Sequence, residues 1–387
     1  MLVMISHYNG HIPVSWRAAI PHAVNGFQGA MRNPFTEWLR SCGWVGVDIF
    51  FVLSGFLVSG PLLKQICSSS SSDFKLNTTS SSNADIRTFL VKRGLRILPV
   101  HYTFVILALL GAIFTEEWSA LSPQRVFGEV FFLQNMIGGS NGPRGAHGSL
   151  HGHTWSLAAE EHFNLLLPLL VLLSGTLFPF SALGIIAVTS INRLLLVFVW
   201  GPDFPGWGSP GDFKYVHYHS TYMRMDALLF GCLLVWFSMK HVRHFQRIFE
   251  HAWTGVLGAA IISGSVSLCK LSPDYYQPAA GYLVNSIGAC FVVASMTTVK
   301  QVHNKVLYTL LYPVAFTGFY SYAIYLFHMF FRTAFSYFSL YKGYLSDPLA
   351  FVLYCASSVG AGWLVTNVVE RPVSKFRSYL LGNVVVQ

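Results

Sequence analysis

The chain has 387 residues, of which 53% are hydrophobic and only 11% charged, with a net charge of +9 and a mean hydropathy of +0.49. Soluble domains hold about 25% charged residues, so this composition excludes a soluble enzyme and points to a polytopic membrane protein, because apolar runs recur along the whole length. It also argues against nucleic-acid binding, since no compact basic domain carries the excess charge; the Lys and Arg lie in loops, where they set orientation and meet anionic lipid.

The chain opens on "MLVMISHYNG", with no basic leader of a cleavable signal peptide. This run is too short to span a bilayer, which takes roughly 20 residues. It is expected to be a tail or the end of a first helix that is truncated at Met1. Apolar spans follow near 44–63, 96–115, 154–174, 178–200, 222–239, 253–270, 279–299, 314–337 and 348–369. The expected fold is therefore all-α, a transmembrane helical bundle of about ten spans forming one domain over residues 1–387. The piece 125–137 is too short and interrupted to cross, and reads as interfacial or re-entrant.

Lys and Arg fix an orientation. Loop 64–96, loop 240–252, the loop holding Lys300 and Lys305, and the tail from Arg371 to Arg377 all fall on one side, which the positive-inside rule makes cytoplasmic. The Ser-rich stretch within 64–88 is expected to be a flexible cytoplasmic loop. Its sequon at Asn77 would then stay unused. The Gly- and His-rich loop 138–153 falls on the outer side. His147, His151 and His153 cluster there, but no carboxylate or Cys stands at ligand spacing, so no metal is expected. The six cysteines are scattered singly and give no disulfide framework.

Ionisable groups at membrane depth mark function by default. In "HTWSLAAEEHFNLLL", Ser156, Glu160 and Asn164 share one helical stripe, so Glu160 is expected to face inward and Glu161 to sit at the interface. The competing reading is a helix start among headgroups, where acids favour the N-terminus. In "KRGLRILPVHY", Arg93 and Arg96 stand one turn apart. They read as a positive-inside anchor or as a cradle for an anionic donor, which Arg grips with its planar fork. Arg224 and Asp226 open a span, either as a solvated pair or buried. His328 lies deep in "SYAIYLFHMFF", on one face with Ser321 and Tyr325. A structural, hydrogen-bonded histidine competes with a functional one there. Glu370 and Arg371 read as local charge pairing at a helix end.

Taken in order, "SHYNGH", "GWVGVDIFFVLSGFLVSGPLL", "KRGLRILPVHY", "TWSLAAEEHF", "RMDALLFG", "YSYAIYLFHMFF" and "ERPVSKF" resemble the landmarks of the acyltransferase-3 family of multi-pass membrane acyltransferases. The resemblance covers nearly the whole chain. It implies transfer of an acyl group, commonly acetyl from acetyl-CoA as co-substrate, to a hydroxyl of a saccharide, lipid or small metabolite. On this resemblance His7 matches the family's first-helix histidine, a base or acyl shuttle, and Glu160 the carboxylate of the Trp-Ser-Leu motif. Arg93 and Arg96 would steady the phosphates of acyl-CoA, while Arg224, Asp226 and His328 match positions near the substrate path. The chain departs from the pattern at Lys92, His162 and Asn164, and in lacking an Arg ahead of His7. A transporter or channel would use the same intramembrane charges, but no repeated halves are visible. An inactive relative with a binding role is the third reading.

Overall fold

The computed structural model describes Met4 and residues 43–70, 73–76, 81–114, 121–137, 152–201, 210–298, 305–336 and 347–380. Among the described residues, six helical segments are long and apolar enough to cross a membrane, or up to eight if two bent pairs each count as one crossing. The protein is thus an all-α, multi-pass membrane bundle. The described residues of every span expected from position 44 onward are almost wholly helical, and the count is compatible with about ten. The expected first span lies outside the described residues except for Met4.

Helix α1 (Val45–Ile66) leads into a short antiparallel pair, β1 (Cys67–Ser70) and β2 (Asp73–Leu76), in register from Cys67 opposite Leu76 to Ser70 opposite Asp73. The Ser-rich stretch expected to be loop therefore pairs its backbone in part. Helix α2 (Ser81–Phe114) begins fifteen residues before the apolar span predicted from 96, so Arg93 and Arg96 lie within one continuous helix. Its Pro99 cannot donate a backbone hydrogen bond, and the Thr103 hydroxyl donates to the Pro99 carbonyl at 2.8 Å. The interrupted piece forms two short helices, α3 (Pro123–Val130) and α4 (Gln134–Ile137). They break at Phe132, whose φ of 58° is costly for a residue with a Cβ.

Helix α5 (Trp155–Ser174) ends at Gly175, which takes a φ of 57°, a conformation that glycine adopts without penalty. Helix α6 (Phe178–Leu195) continues as a π turn to Trp200. Then come α7 (Pro210–His219), α8 (Met225–Lys240) and α9 (Val242–Phe249). Helix α9 turns by 114° from α8. The remainder is α10 (Ala252–Leu271), α11 (Tyr282–Thr298), α12 (Lys305–Phe319), α13 (Ser321–Ser336), α14 (Asp347–Val365) and α15 (Arg371–Leu380).

The most extensive packing joins α1 to α8, α10 to α11, and α13 to α14. In lipid, helices associate by close packing rather than by hydrophobic exclusion of water, and small residues let backbones approach. At the α1–α8 crossing, a Cβ on Gly55 would meet the Leu228 carbonyl oxygen at 2.0 Å, and one on Gly231 the Val52 oxygen at 2.1 Å. Helix α5 packs against α1, α2 and α8, which brings the polar residues of four helices together.

Candidate functional site

The opening of α5 faces inward. Ser156, Glu160 and Asn164 are all buried, as their shared stripe requires, while Glu161 is half-buried. The Ser54 hydroxyl of α1 donates a hydrogen bond to the Glu160 carboxylate. Glu161 instead accepts from its own helix, from the Asn164 amide at 3.0 Å. Arg93 and Arg96 of α2 both act on Glu160 electrostatically. A carboxylate this deep is costly unless charges and donors compensate it, and α1 and α2 supply both.

The arginine pair divides in position. Arg93 is half-buried, whereas Arg96 is exposed and reaches Glu370 at 3.9 Å. Glu370 thus pairs across to α2, not with its neighbour Arg371 as expected; Arg371 donates to the Asn367 side chain one turn back at 2.5 Å. A one-turn step along the helix brings Arg371 to Asn367, while the π turn at Thr366–Glu370 packs against α2. Arg377 of α15 donates to the Lys92 carbonyl at 3.4 Å, so α15 adds basic groups beside the pair.

One turn toward the start of α5, Ser156 meets α13. The Tyr325 hydroxyl donates to the His153 carbonyl at 2.6 Å and stands 2.6 Å from the Ser156 hydroxyl. His328 is fully buried, with Nδ1 on the Tyr325 carbonyl. The His153 and His328 rings lie 5.0 Å apart, nearly perpendicular. Ser321, expected on this face, is exposed and takes no part. Beside this group the Thr154 hydroxyl donates to the buried Glu129 carboxylate at 2.8 Å, fixing α3 against α5.

Arg224 and Asp226 are both buried, and they do not pair with each other. Arg224 forms its ion pair with Asp48 of α1, and Asp226 pairs with Arg193 of α6 at 2.5 Å. The Asn285 amide of α11 donates to the second Asp48 oxygen at 3.1 Å. The Arg224 guanidinium lies 3.8 Å from the Tyr282 ring centre, with Tyr218 at 5.4 Å and Trp155 at 6.0 Å. A weakly hydrated planar cation suits such an aromatic surround.

Of the residues singled out in the sequence, the structure puts Glu160 within electrostatic reach of Arg93 and Arg96, sets His328 on Tyr325, whose hydroxyl meets Ser156 one α5 turn from Glu160, and places Arg224 and Asp226 in a second charge network. His7 lies outside the described residues. The sequence reading missed Asp48, Ser54, Glu129, Arg193 and Tyr325 as site residues. Asp48 and Arg193 carried a usable signal, a charge inside an apolar span, and Tyr325 one in its place on the His328 face; Ser54 carried none. Among the described residues, no group of three or more metal-ligating side chains converges.

A family model described as "Acyltransferase domain" matches residues 1–367. YrhL of Bacillus subtilis is 27% identical over 307 residues, covering 74% of this chain and 44% of that protein. The "O-acetyltransferase OatA" of Staphylococcus aureus is 25% identical over 306 residues, covering 76% of this chain and 46% of its own. The "Peptidoglycan O-acetyltransferase OatA" of Listeria monocytogenes is 28% identical over 308 residues, covering 76% and 45%. The chain thus spans about half the length of the curated relatives it matches. No solved structure matches it significantly.

Proposed function

Because the chain belongs to the acyltransferase-3 family, we propose that it is a membrane O-acyltransferase that moves an acetyl group from acetyl-CoA to a hydroxyl of a saccharide, lipid or small-molecule acceptor. The relatives' names make a cell-wall glycan the first acceptor to test. The observation that carries the reading is the buried Glu160 carboxylate, held by Ser54 and faced by the Arg93 and Arg96 charges. A structural helix start among headgroups has no need of that arrangement.

In the reaction the acceptor oxygen attacks the thioester carbonyl carbon, the C–S bond breaks, and the thiolate leaves. The hydroxyl proton must go to a base. Arg93 and Arg96, with Lys92 and Arg377 beside them, are suited to the donor's phosphates. The family resemblance gives His7 the handling of the acyl group, and in this reading Glu160 orients or charges an imidazole. The test is acetyl transfer in membrane vesicles supplied with labelled acetyl-CoA and a glycan acceptor. Label should reach the acceptor in the wild type and be lost in Glu160→Gln. Uptake of an acceptor with no dependence on acetyl-CoA would instead identify a transporter.

A further inference from the structure

Helix α9 lies across one end of the bundle. Gly55 faces Leu228 and Gly60 faces Val235, so α1 and α8 run parallel and finish on the same side, at Lys64 and Lys240. The chain then turns by 114° into α9, close to perpendicular to a helix packed along a membrane span. It re-enters the apolar region through α10. A short amphipathic helix so placed runs along the membrane surface.

The two faces of α9 differ. Phe245 and Phe249, four residues apart, are buried. Phe245 packs on Phe237 of α8 with ring centres 6.1 Å apart, and Phe249 on Phe291 of α11 at 5.6 Å. The Thr298 hydroxyl at the end of α11 donates to the Phe249 carbonyl at 2.7 Å. These contacts hold α9 against the bundle. Arg243 and Arg247, also four apart, project from the opposite face and are exposed, as is Lys240. Among the described residues none of these three cations makes an ion pair; the Lys240 ammonium lies 5.4 Å from the Trp236 ring centre. From Lys240 to Trp253 they stand against a single acid, Glu250. Ile248 and Trp253 are exposed beside them, and Trp favours the headgroup level of a bilayer.

We propose that the outward face of α9, with Lys240 beside it, binds the phosphate headgroup of an anionic phospholipid. Arg243 and Arg247 offer planar forks suited to phosphate oxygens. The exposed Ile248 and Trp253 suit the acyl boundary that accompanies such a headgroup and that a soluble anion lacks. The site uses none of the residues assigned to acyl transfer and stands independently of that reading.

The experiment titrates the full-length chain in detergent with phosphatidylglycerol or phosphatidylcholine and counts bound lipid by native mass spectrometry. The wild type should prefer phosphatidylglycerol. The double variant Arg243→Gln with Arg247→Gln should weaken that binding by about fivefold for each cation removed, with phosphatidylcholine binding and the melting transition unchanged. Lys240→Gln, which leaves α9 itself intact, should weaken it by about fivefold and decides the matter if the double variant does not fold. Lys270→Gln, at the far end of α10, removes the same charge and should leave the affinity as in the wild type. Equal affinity for the two lipids in the wild type, unchanged phosphatidylglycerol affinity in the α9 and Lys240 variants, or an equal loss in Lys270→Gln overturns the site. Displacement of the lipid by millimolar inorganic phosphate overturns the lipid assignment in favour of a soluble anion.

Discussion

Arg224 passes over Asp226, two residues away, and pairs with Asp48, 176 positions earlier in the chain. Asp226 pairs in turn with Arg193. These crossed pairs join α1, α6 and α8 at a depth where an unpaired charge is not tolerated. Truncating one partner leaves the other buried and uncompensated. Asp48→Asn should therefore cost about 3–5 kcal/mol, read as a lowered melting temperature in detergent. The double variant Asp48→Asn with Arg224→Gln should recover part of that loss. Additive losses in the double variant would show that the two side chains do not support one another.

Glu160 and Glu161 are neighbours in sequence with different surroundings. Glu160→Gln removes the charge that accepts from Ser54 and feels the Arg93 and Arg96 charges, and acetyl transfer should fall by at least about 10²-fold. Glu161→Gln alters a contact confined to its own helix and should cost severalfold at most. Equal losses in the two variants would remove the basis for separating their roles.

The basic groups near the start of α2 should govern the donor more than the acceptor. Arg93→Gln is expected to raise the KM for acetyl-CoA by about tenfold, the worth of one charge-assisted contact. Arg96→Gln should raise it less, since Arg96 is 56% exposed and already meets Glu370. Initial-rate measurements at varied donor concentration separate these outcomes. A rise in acceptor KM alone would place the pair elsewhere in the reaction.

The α1–α8 crossing is a steric test of the bundle. Gly231→Ala places a methyl 2.1 Å from the Val52 carbonyl oxygen, a backbone atom that cannot move aside cheaply. The helices must separate, carrying Ser54 and Asp48 away from their partners, so yield, melting temperature and activity should all drop. Gly184→Ala meets nothing within 4 Å and should behave as wild type. A Gly231→Ala chain with unchanged melting behaviour would show that α1 and α8 do not approach this closely.

Hydropathy placed the helices well because lipid forces backbone groups to bond within each helix. Boundaries were less legible: α2 starts at Ser81, ahead of the apolar run, since a helix does not end where its hydrophobicity does. The inward stripe of Ser156, Glu160 and Asn164 was visible because helical period alone assigns a face. Ser321 failed the same reasoning, because a shared face is not buried along its full length. The pairing of Arg371 with Glu370 failed because adjacent residues on a helix do not face each other.

The sequence by itself determined the membrane class, the order of the helices, the family landmarks and the face on which Glu160 lies. Only the tertiary structure decided what meets that face. Ser54 for Glu160, Asp48 for Arg224, Arg193 for Asp226 and His153 for His328 come from other helices or loops. Periodicity is a property of one helix, whereas the compensation of a buried charge belongs to the contacts between helices.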